Sequence, residues 1–494
     1  MQPEQLEDGV IVPDGRTTEI QNGRNQLKGI RDGEEHATRR YRRIHSYEPK
    51  SRLNLGFWDT LMMQLTFQTS GAVVGMPFAF ATMGYIFALL MLIFYIIICM
   101  IIVKLIADVQ LRTTDANGTE YTEPCTTLGD VGERLGGKLG RYLLRSFQLA
   151  NLYALLMVML NLMATSIQYV ANFPWNCLGY WTLLMFALMV LVLQVVKVWK
   201  HNATLAYGGS LLVSIKTLVL LPWAYAIYSG DIKSSPSYVG SAKPFLAPSG
   251  YNDWYDFSMG LSSIIWGIAP IFIQTELTWE MKNPLQTRNA TWGALIGFGT
   301  LYAVAGLTGA LMLGYPVTSP VTLMFPREGL AIAINIFVFL ASIIDYIAGA
   351  LVVNDFQRNL LFTVSPWCRE TIPAKEKASK LYKYLIHFVF TLPSSILALI
   401  VTLCIPDFEV LTSIVVAFTV SGSQTCLPTL CWYYGLKLYK IGKEQLKDWV
   451  GNRFLHVISV FGIILTGYLV AGSLYSFVDT YILGGSTSSF FCDA

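Results

Sequence analysis

The chain has 494 residues, 53% hydrophobic and only 14% charged, with a mean hydropathy of +0.48. A water-soluble domain carries about 25% charged residues, so this composition excludes one and indicates an all-α polytopic membrane protein. The net charge of +3 gives no basis for nucleic-acid binding. The 8 cysteines are scattered, with no CxxC and no Cys/His ligand spacing, so neither a metal site nor a cofactor is expected.

Residues 1–52 are polar, rich in Gly and Arg and poor in apolar residues, and read as a disordered cytosolic tail. Within it, Arg39-Arg40-Tyr41-Arg42-Arg43 fits either anionic lipid headgroups or a charge cluster that fixes topology. The N-terminus lacks an apolar h-region, so no cleavable signal peptide is expected. Residues 53–480 form the transmembrane domain and residues 481–494 a short extracytosolic tail. Runs of about 20 apolar residues predict eleven spans. These are 55–80, 83–107, 141–170, 180–198, 204–229, 254–278, 291–314, 330–356, 381–405, 409–436 and 454–479.

Span 1 is interrupted near its middle by Thr69, Ser70, Gly71, Gly75 and Pro77. Glycine and proline both weaken a helix interior. In lipid, a freed backbone group costs several kcal/mol, so a break is kept where it lines a cavity or binds something. Pro77 is expected to begin the second half-helix, aiming the N–H groups of Val74 to Met76 at the break. Such a positive dipole end suits a carboxylate; a simple proline kink packed on a neighbour is the structural alternative.

Leu128-Gly-Asp-Val-Gly-Glu-Arg-Leu-Gly-Gly137 predicts a short interfacial helix before span 3. The loop 230–253, rich in Ser, Pro, Gly and Tyr, suits a lid. Span 6 is broken in turn at Gly267 and Pro270, beside Trp266. Spans 1 and 6 open two five-span sets that each cross an odd number of times. Discontinuous helices at matching places in two inverted halves are the sequence pointer to a transporter's binding site.

With the N-terminus in the cytosol, the 35 Lys and Arg fall on the cytosolic side except for Lys233, Lys243, Arg327 and the intramembrane Lys216. That bias sets the orientation and places the C-terminus outside. The sequons at Asn117, Asn202 and Asn289 then face the cytosol and stay unmodified. Cys177 and Cys492 both fall outside, where they either pair or remain thiols. Cys99, Cys404, Cys426 and Cys431 read as small core residues.

Glu280-Met-Lys-Asn-Pro284 after a broken sixth span resembles the amino acid/auxin permease family. So does Ser70-Gly-Ala-Val-Val-Gly-Met-Pro77 followed by Ala81-Thr-Met-Gly-Tyr85. Within that family the chain is most similar to fungal neutral amino acid permeases of the methyltryptophan-resistance type, over residues 50–480. The resemblance implies eleven spans, an inside N-terminus, a five-plus-five inverted repeat and proton-coupled uptake, and it favours the plasma membrane over the vacuolar one. Trp266-Gly-Ile-Ala-Pro270 departs from the family's commoner aromatic-Ala-Phe-Glu-Gly pattern. Ala269 stands where that pattern has an acid, which argues against a coupling proton at that position.

On this reading the substrate carboxylate meets the N–H groups of Ser70, Gly71, Val74 and Gly75. Its ammonium meets carbonyls freed at Thr69 and from Trp266 through Gly267 and Ile268 to Ala269. Val73, Trp266, Ile268 and Tyr153 would touch the side chain and favour neutral substrates, because a charged one would lose its hydration beside apolar walls. Lys216 and Asp345 lie at similar depth in spans 5 and 8 and are expected to carry proton coupling, or else to form a static ion pair. An intramembrane charge is functional by default. Glu276, toward the cytosolic end of span 6, fits a proton relay, a gate or a side chain reaching the interface. Arg145 reads as a snorkelling residue and His387 and His456 as structural. Ser421, Ser423 and Gln424, around Gly422, fit either the pathway or close helix packing.

The leading expectation is a secondary active transporter for neutral amino acids and protons in a lipid bilayer. The alternative is a receptor that binds an amino acid without net transport. No Walker-type loop supports a primary pump, and no nucleophile–base pair or metal cluster supports an enzyme.

Overall fold

A computed structural model of the chain describes residues 55–67, 69–111, 125, 127–171, 177–195, 199–235, 238–245, 254–268, 271–315, 317–365, 367–368, 370–373, 379–420, 422, 426–430 and 452–483. The predicted tail 1–52, Ala269, Ser421, Ser423, Gln424, Cys431 and Cys492 lie outside these residues.

Among the described residues the fold is helical, with two isolated β-bridges. The first spans are α1 (Phe57–Thr66), α2 (Thr69–Met83), α3 (Tyr85–Gln110), α4 (Leu128–Ala171) and α5 (Leu178–Val195). A long fifth span follows: α6 (Trp199–Ile215), a π-helical segment (Lys216–Leu220) and α7 (Leu221–Ser234). Then come α8 (Trp254–Gly267), α9 (Ile271–Glu280), α10 (Thr287–Leu313), α11 (Gly329–Val364), α12 (Lys380–Cys404), α13 (Phe408–Val415) and α14 (Asn452–Phe477). Eight helices in the described residues are long and apolar enough to cross a membrane. The three other predicted spans are the two that the fold breaks, α1–α2 and α8–α9, and the short apolar helix Phe408–Val420.

Local chemistry explains the joints. Gly84 adopts φ 87°, a left-handed value that a side chain would strain, and so turns the chain from α2 into α3. In α4, Gly136 and Gly137 leave helical geometry, so the predicted interfacial helix is a separate first segment. Thr127 and Asp130 cap it reciprocally, Thr127 N donating to Asp130 Oδ2 at 2.9 Å and Asp130 N to Thr127 Oγ1 at 3.2 Å. The segment folds back so closely that a Cβ on Gly132 would lie 2.3 Å from the Gly140 carbonyl oxygen. In the fifth span, Leu221 N donates to Lys216 O, five residues back. Pro222 has no N–H to give, so the ladder widens by one residue there.

The family-like Glu280–Pro284 stretch is a joint as well. Leu55 N donates to Glu280 O and Lys282 N to Leu55 O, at 2.8 and 2.9 Å. These bonds tie the start of α1 to the end of α9. Asn283 then accepts from Leu285 N and caps the short 3₁₀ turn Pro284–Gln286 that leads into α10. The described part of the predicted lid is anchored: Gly240 pairs antiparallel with Tyr315, and the Lys243 and Pro244 carbonyls accept from Tyr85 and Ile86 N–H.

At the centre, residues 71–84 are all buried, and α2 packs between α8 and α10. Leu90, Ile93, Phe94 and Ile97 of α3, and Leu381 and Leu385 of α12, are exposed on the apolar outside that faces lipid. Cys404 is exposed too, contrary to the expectation of a core residue, because it ends α12 on that outer face. Cys177 is disulfide-bonded.

Candidate functional site

The site begins where span 1 breaks. Phe67 turns extended (φ −61°, ψ 120°) after its N–H bonds Met63 O, and a new helix starts at Thr69. This corrects the sequence expectation. Pro77 lies inside α2 rather than at its start, so the freed first-turn N–H groups are those of Thr69, Ser70 and Gly71. Val74 and Gly75 fall within the helical ladder. The break moves because a proline nine residues into a helix need only displace one hydrogen bond. The preceding turn is meanwhile secured elsewhere. Thr66 Oγ1 donates to Ala206 O at 2.7 Å and lies 2.7 Å from Ser210 Oγ. A Cβ on Gly209 would meet Thr66 Cγ2 at 2.4 Å, so α6 approaches the end of α1 at backbone distance.

The second break packs against α2 and α10. Helix α8 ends at Gly267, and Ile268 N reaches back to Ile265 O at 3.2 Å. A Cβ on Gly267 would lie 2.7 Å from Tyr302 Cε2 and 3.0 Å from Met76 Cε of α2. Thr69, Val73, Val74, Trp266 and Ile268 are at most 1% exposed. Gly71 faces Met159, Leu162 and Phe408, and Gly75 faces Ser319 and Ser263. Trp266 Nε1 and Ser262 Oγ are buried and have no hydrogen-bond partner among the described residues.

Tyr153 sits away from the break. Its hydroxyl accepts a hydrogen bond from Gln357 Nε2. It lies six residues before Met159, the α4 residue that touches Gly71, about 9 Å along the helix.

Two further expectations concern charge. Lys216, on the π segment, and Asp345, on α11, are both fully buried, and Asp345 acts electrostatically on Lys216. The sequence placed them at similar depth, and α11 packs against the π segment that carries Lys216. Glu276, on α9, accepts from Gln148 Nε2 of α4 at 2.6 Å and from Thr275 Oγ1 at 2.8 Å. It is thus held between α9 and α4 rather than free at an interface. Arg145 stacks its guanidinium 5.6 Å from the Phe356 ring centre. His387 Nε2 lies 2.8 Å from Leu193 O, in keeping with a structural role.

One residue carried no signal in the sequence. Tyr302, on α10, is fully buried and stacked on Phe298. Its hydroxyl donates to Gly267 O at 2.9 Å. It therefore holds the carbonyl end of α8 at the second break.

The sequence matches the family described as transmembrane amino acid transporter protein over residues 54–475. The chain belongs to that family. It is an integral membrane protein of an amino acid transporter family, and the paired breaks are the irregular backbone of its membrane domain. No curated protein matches this transporter. Among solved structures it is similar to a nucleobase-cation-symport-1 family transporter, in a closed conformation with bromovinylhydantoin bound. The identity there is 10%, over 90% of this chain and 98% of that one, with a TM-score of 0.48. It is also similar to a mutant manganese transporter from Eremococcus coleocola. In that case the identity is 10%, over 89% and 92% of the two chains, with a TM-score of 0.47.

Proposed function

We propose that this transporter takes up neutral amino acids, aliphatic and aromatic, together with protons, by alternating access. The observation that carries this reading is the packing of the broken helices α2 and α8. The end of α8 at Gly267 packs against Met76 of α2, and the residues around both breaks are buried. Such a pair offers a donor end to a carboxylate and an acceptor end to an ammonium, and a zwitterion presents both at zero net charge. Thr69, Ser70 and Gly71 would hold the carboxylate, with Gly75 behind them; Gly267, Ile268 and Ala269 would meet the ammonium. Val73, Val74 and Trp266 would enclose the side chain, with Trp266 Nε1 an unused donor at the wall. A cationic or anionic substrate would lose its hydration beside apolar groups at a cost of several kcal/mol. The resemblance to fungal neutral amino acid permeases supports the same substrate class, and uptake at the plasma membrane.

Lys216 is the proposed coupling group. A buried ammonium beside a buried carboxylate is costly unless used, and it stands on a π segment, a feature frequent at functional sites. Glu276, bonded to Gln148, is the proposed gate or relay on the inner side of the break.

Reconstituted vesicles test the proposal. Labelled leucine should accumulate on an inward proton gradient without sodium, and phenylalanine should compete where arginine and glutamate do not. Lys216→Ala should abolish accumulation while leaving exchange measurable. Equal competition by arginine would remove the substrate assignment. A sodium requirement, or accumulation by the Lys216→Ala protein, would remove the coupling assignment.

A further inference from the structure

Where α8 stops, its last carbonyls lose their helical partners. Two carbonyls at this end are held instead by side chains from other spans. The Tyr302 hydroxyl of α10 donates to Gly267 O at 2.9 Å, and the Cys99 thiol of α3 donates to Ile268 O at 3.7 Å. The longer distance suits sulfur, a large and weak donor. Tyr302, Cys99 and Ile268 are all fully buried.

Helices α3 and α10 pack on one another, and α3 also packs on α8. Each brings one donor to one of two consecutive carbonyls. The turn has little room to shift. A Cβ on Gly267 would lie 2.7 Å from Tyr302 Cε2 and 3.0 Å from Met76 Cε of α2. The Tyr302 ring is itself stacked on Phe298, with centres 5.9 Å apart and planes 6° from parallel.

A carbonyl oxygen carries two lone pairs. The side chain takes one, and the other can accept a proton from an ammonium. In lipid, a helix break persists where its backbone groups are satisfied. Donors built into neighbouring spans satisfy them whether or not a substrate is bound. An acceptor end held in this way has little freedom left to lose when a ligand arrives.

We propose that Tyr302 and Cys99 are positioning residues that fix the Gly267 and Ile268 carbonyls in the geometry the substrate's ammonium meets. Each acts through the carbonyl it holds, not by touching the substrate. The inference rests on the reading that these carbonyls receive the ammonium.

Leucine transport by the full-length protein in vesicles is the test. Tyr302→Phe removes one oxygen and keeps the ring on Phe298. Cys99→Ala removes the thiol, and Cys99→Ser keeps a donor in its place. The leucine KM should rise about tenfold in Tyr302→Phe and about threefold in Cys99→Ala, with kcat changed by less than about twofold. Cys99→Ser should bring KM back near wild type, which the packing of sulfur alone would not do. Wild-type KM in both Tyr302→Phe and Cys99→Ala overturns the inference. So does a Cys99→Ser protein no better than Cys99→Ala, or a fall in kcat at unchanged KM. If Tyr302→Phe does not purify as a folded protein, its hydroxyl supports the fold and that half of the inference falls; the Ala–Ser comparison at Cys99 decides the other half. Failure of the ammonium reading shows separately, in the wild type, as competition by isocaproate, leucine without its amine, equal to that of leucine.

Discussion

Gly71 has space for almost nothing more than hydrogen. A Cβ there would lie 3.0 Å from Met159 Cε and 3.5 Å from Leu162 Cδ2. The branches of a valine must enter that wall or turn toward the first-turn N–H groups of α2. Overpacking of this kind costs about 1–3 kcal/mol, which a domain of this size tolerates while the site does not. Gly71→Val should therefore reach the membrane folded yet lose leucine uptake, as read by surface labelling and transport in the same cells. Normal transport would remove the carboxylate site from α2. Glycines and prolines around the breaks were readable as residue types, because few other reasons place them mid-span. Tyr302 was not. A lone tyrosine among aliphatics has no local pattern, and only the packing of α10 against the second break shows what its hydroxyl reaches.

Helix breaks and bulges belong to the scale of elements. The sequence announced that spans 1 and 6 are discontinuous, yet it misplaced the first break by assigning Pro77 to the start of the second half. Which turn opens is settled by neighbours: Thr66 and Ser210 secure the end of α1, and α2 continues past its proline between α8 and α10. The π segment at Lys216 follows from Pro222, which withdraws one donor from the ladder. Pro222→Ala restores that donor. If the bulge closes to an α-helix, one residue is removed from the turn and Lys216 rotates by about 100° relative to α7. We expect the variant to keep substrate binding and thermal stability while losing proton-driven accumulation. Unchanged accumulation would separate the bulge from coupling.

At the scale of the whole molecule, the orientation expected from the distribution of Lys and Arg would put Asn117, Asn202 and Asn289 in the cytosol. Expressed in a glycosylating cell, the protein should show no mobility shift on glycosidase treatment, whereas a sequon introduced in the outer loop near Gly240 should be modified. Modification at Asn289 would invert the assignment. The half-helices α1 and α9 are joined at their far ends by the Leu55–Met281 bridge, and the halves α2 and α8 by packing on one another. Alternating access would have to exchange one of these connections for the other.

Hydropathy, glycine and proline placement, and charge bias are properties of single segments in a bilayer, where each span must satisfy its own backbone. For that reason the sequence alone determined the helical membrane class, the approximate spans, the two discontinuous helices and the buried charges Lys216 and Asp345. The register of the first break, the company Glu276 keeps with Gln148, the distance of Tyr153 from Gly71, and the bond of Tyr302 to Gly267 depend on which faces of distant helices meet. The Gln148–Glu276 bond joins residues 128 positions apart and the Tyr302–Gly267 bond residues 35 apart, and no local pattern records them; only the tertiary packing of the helices decided them.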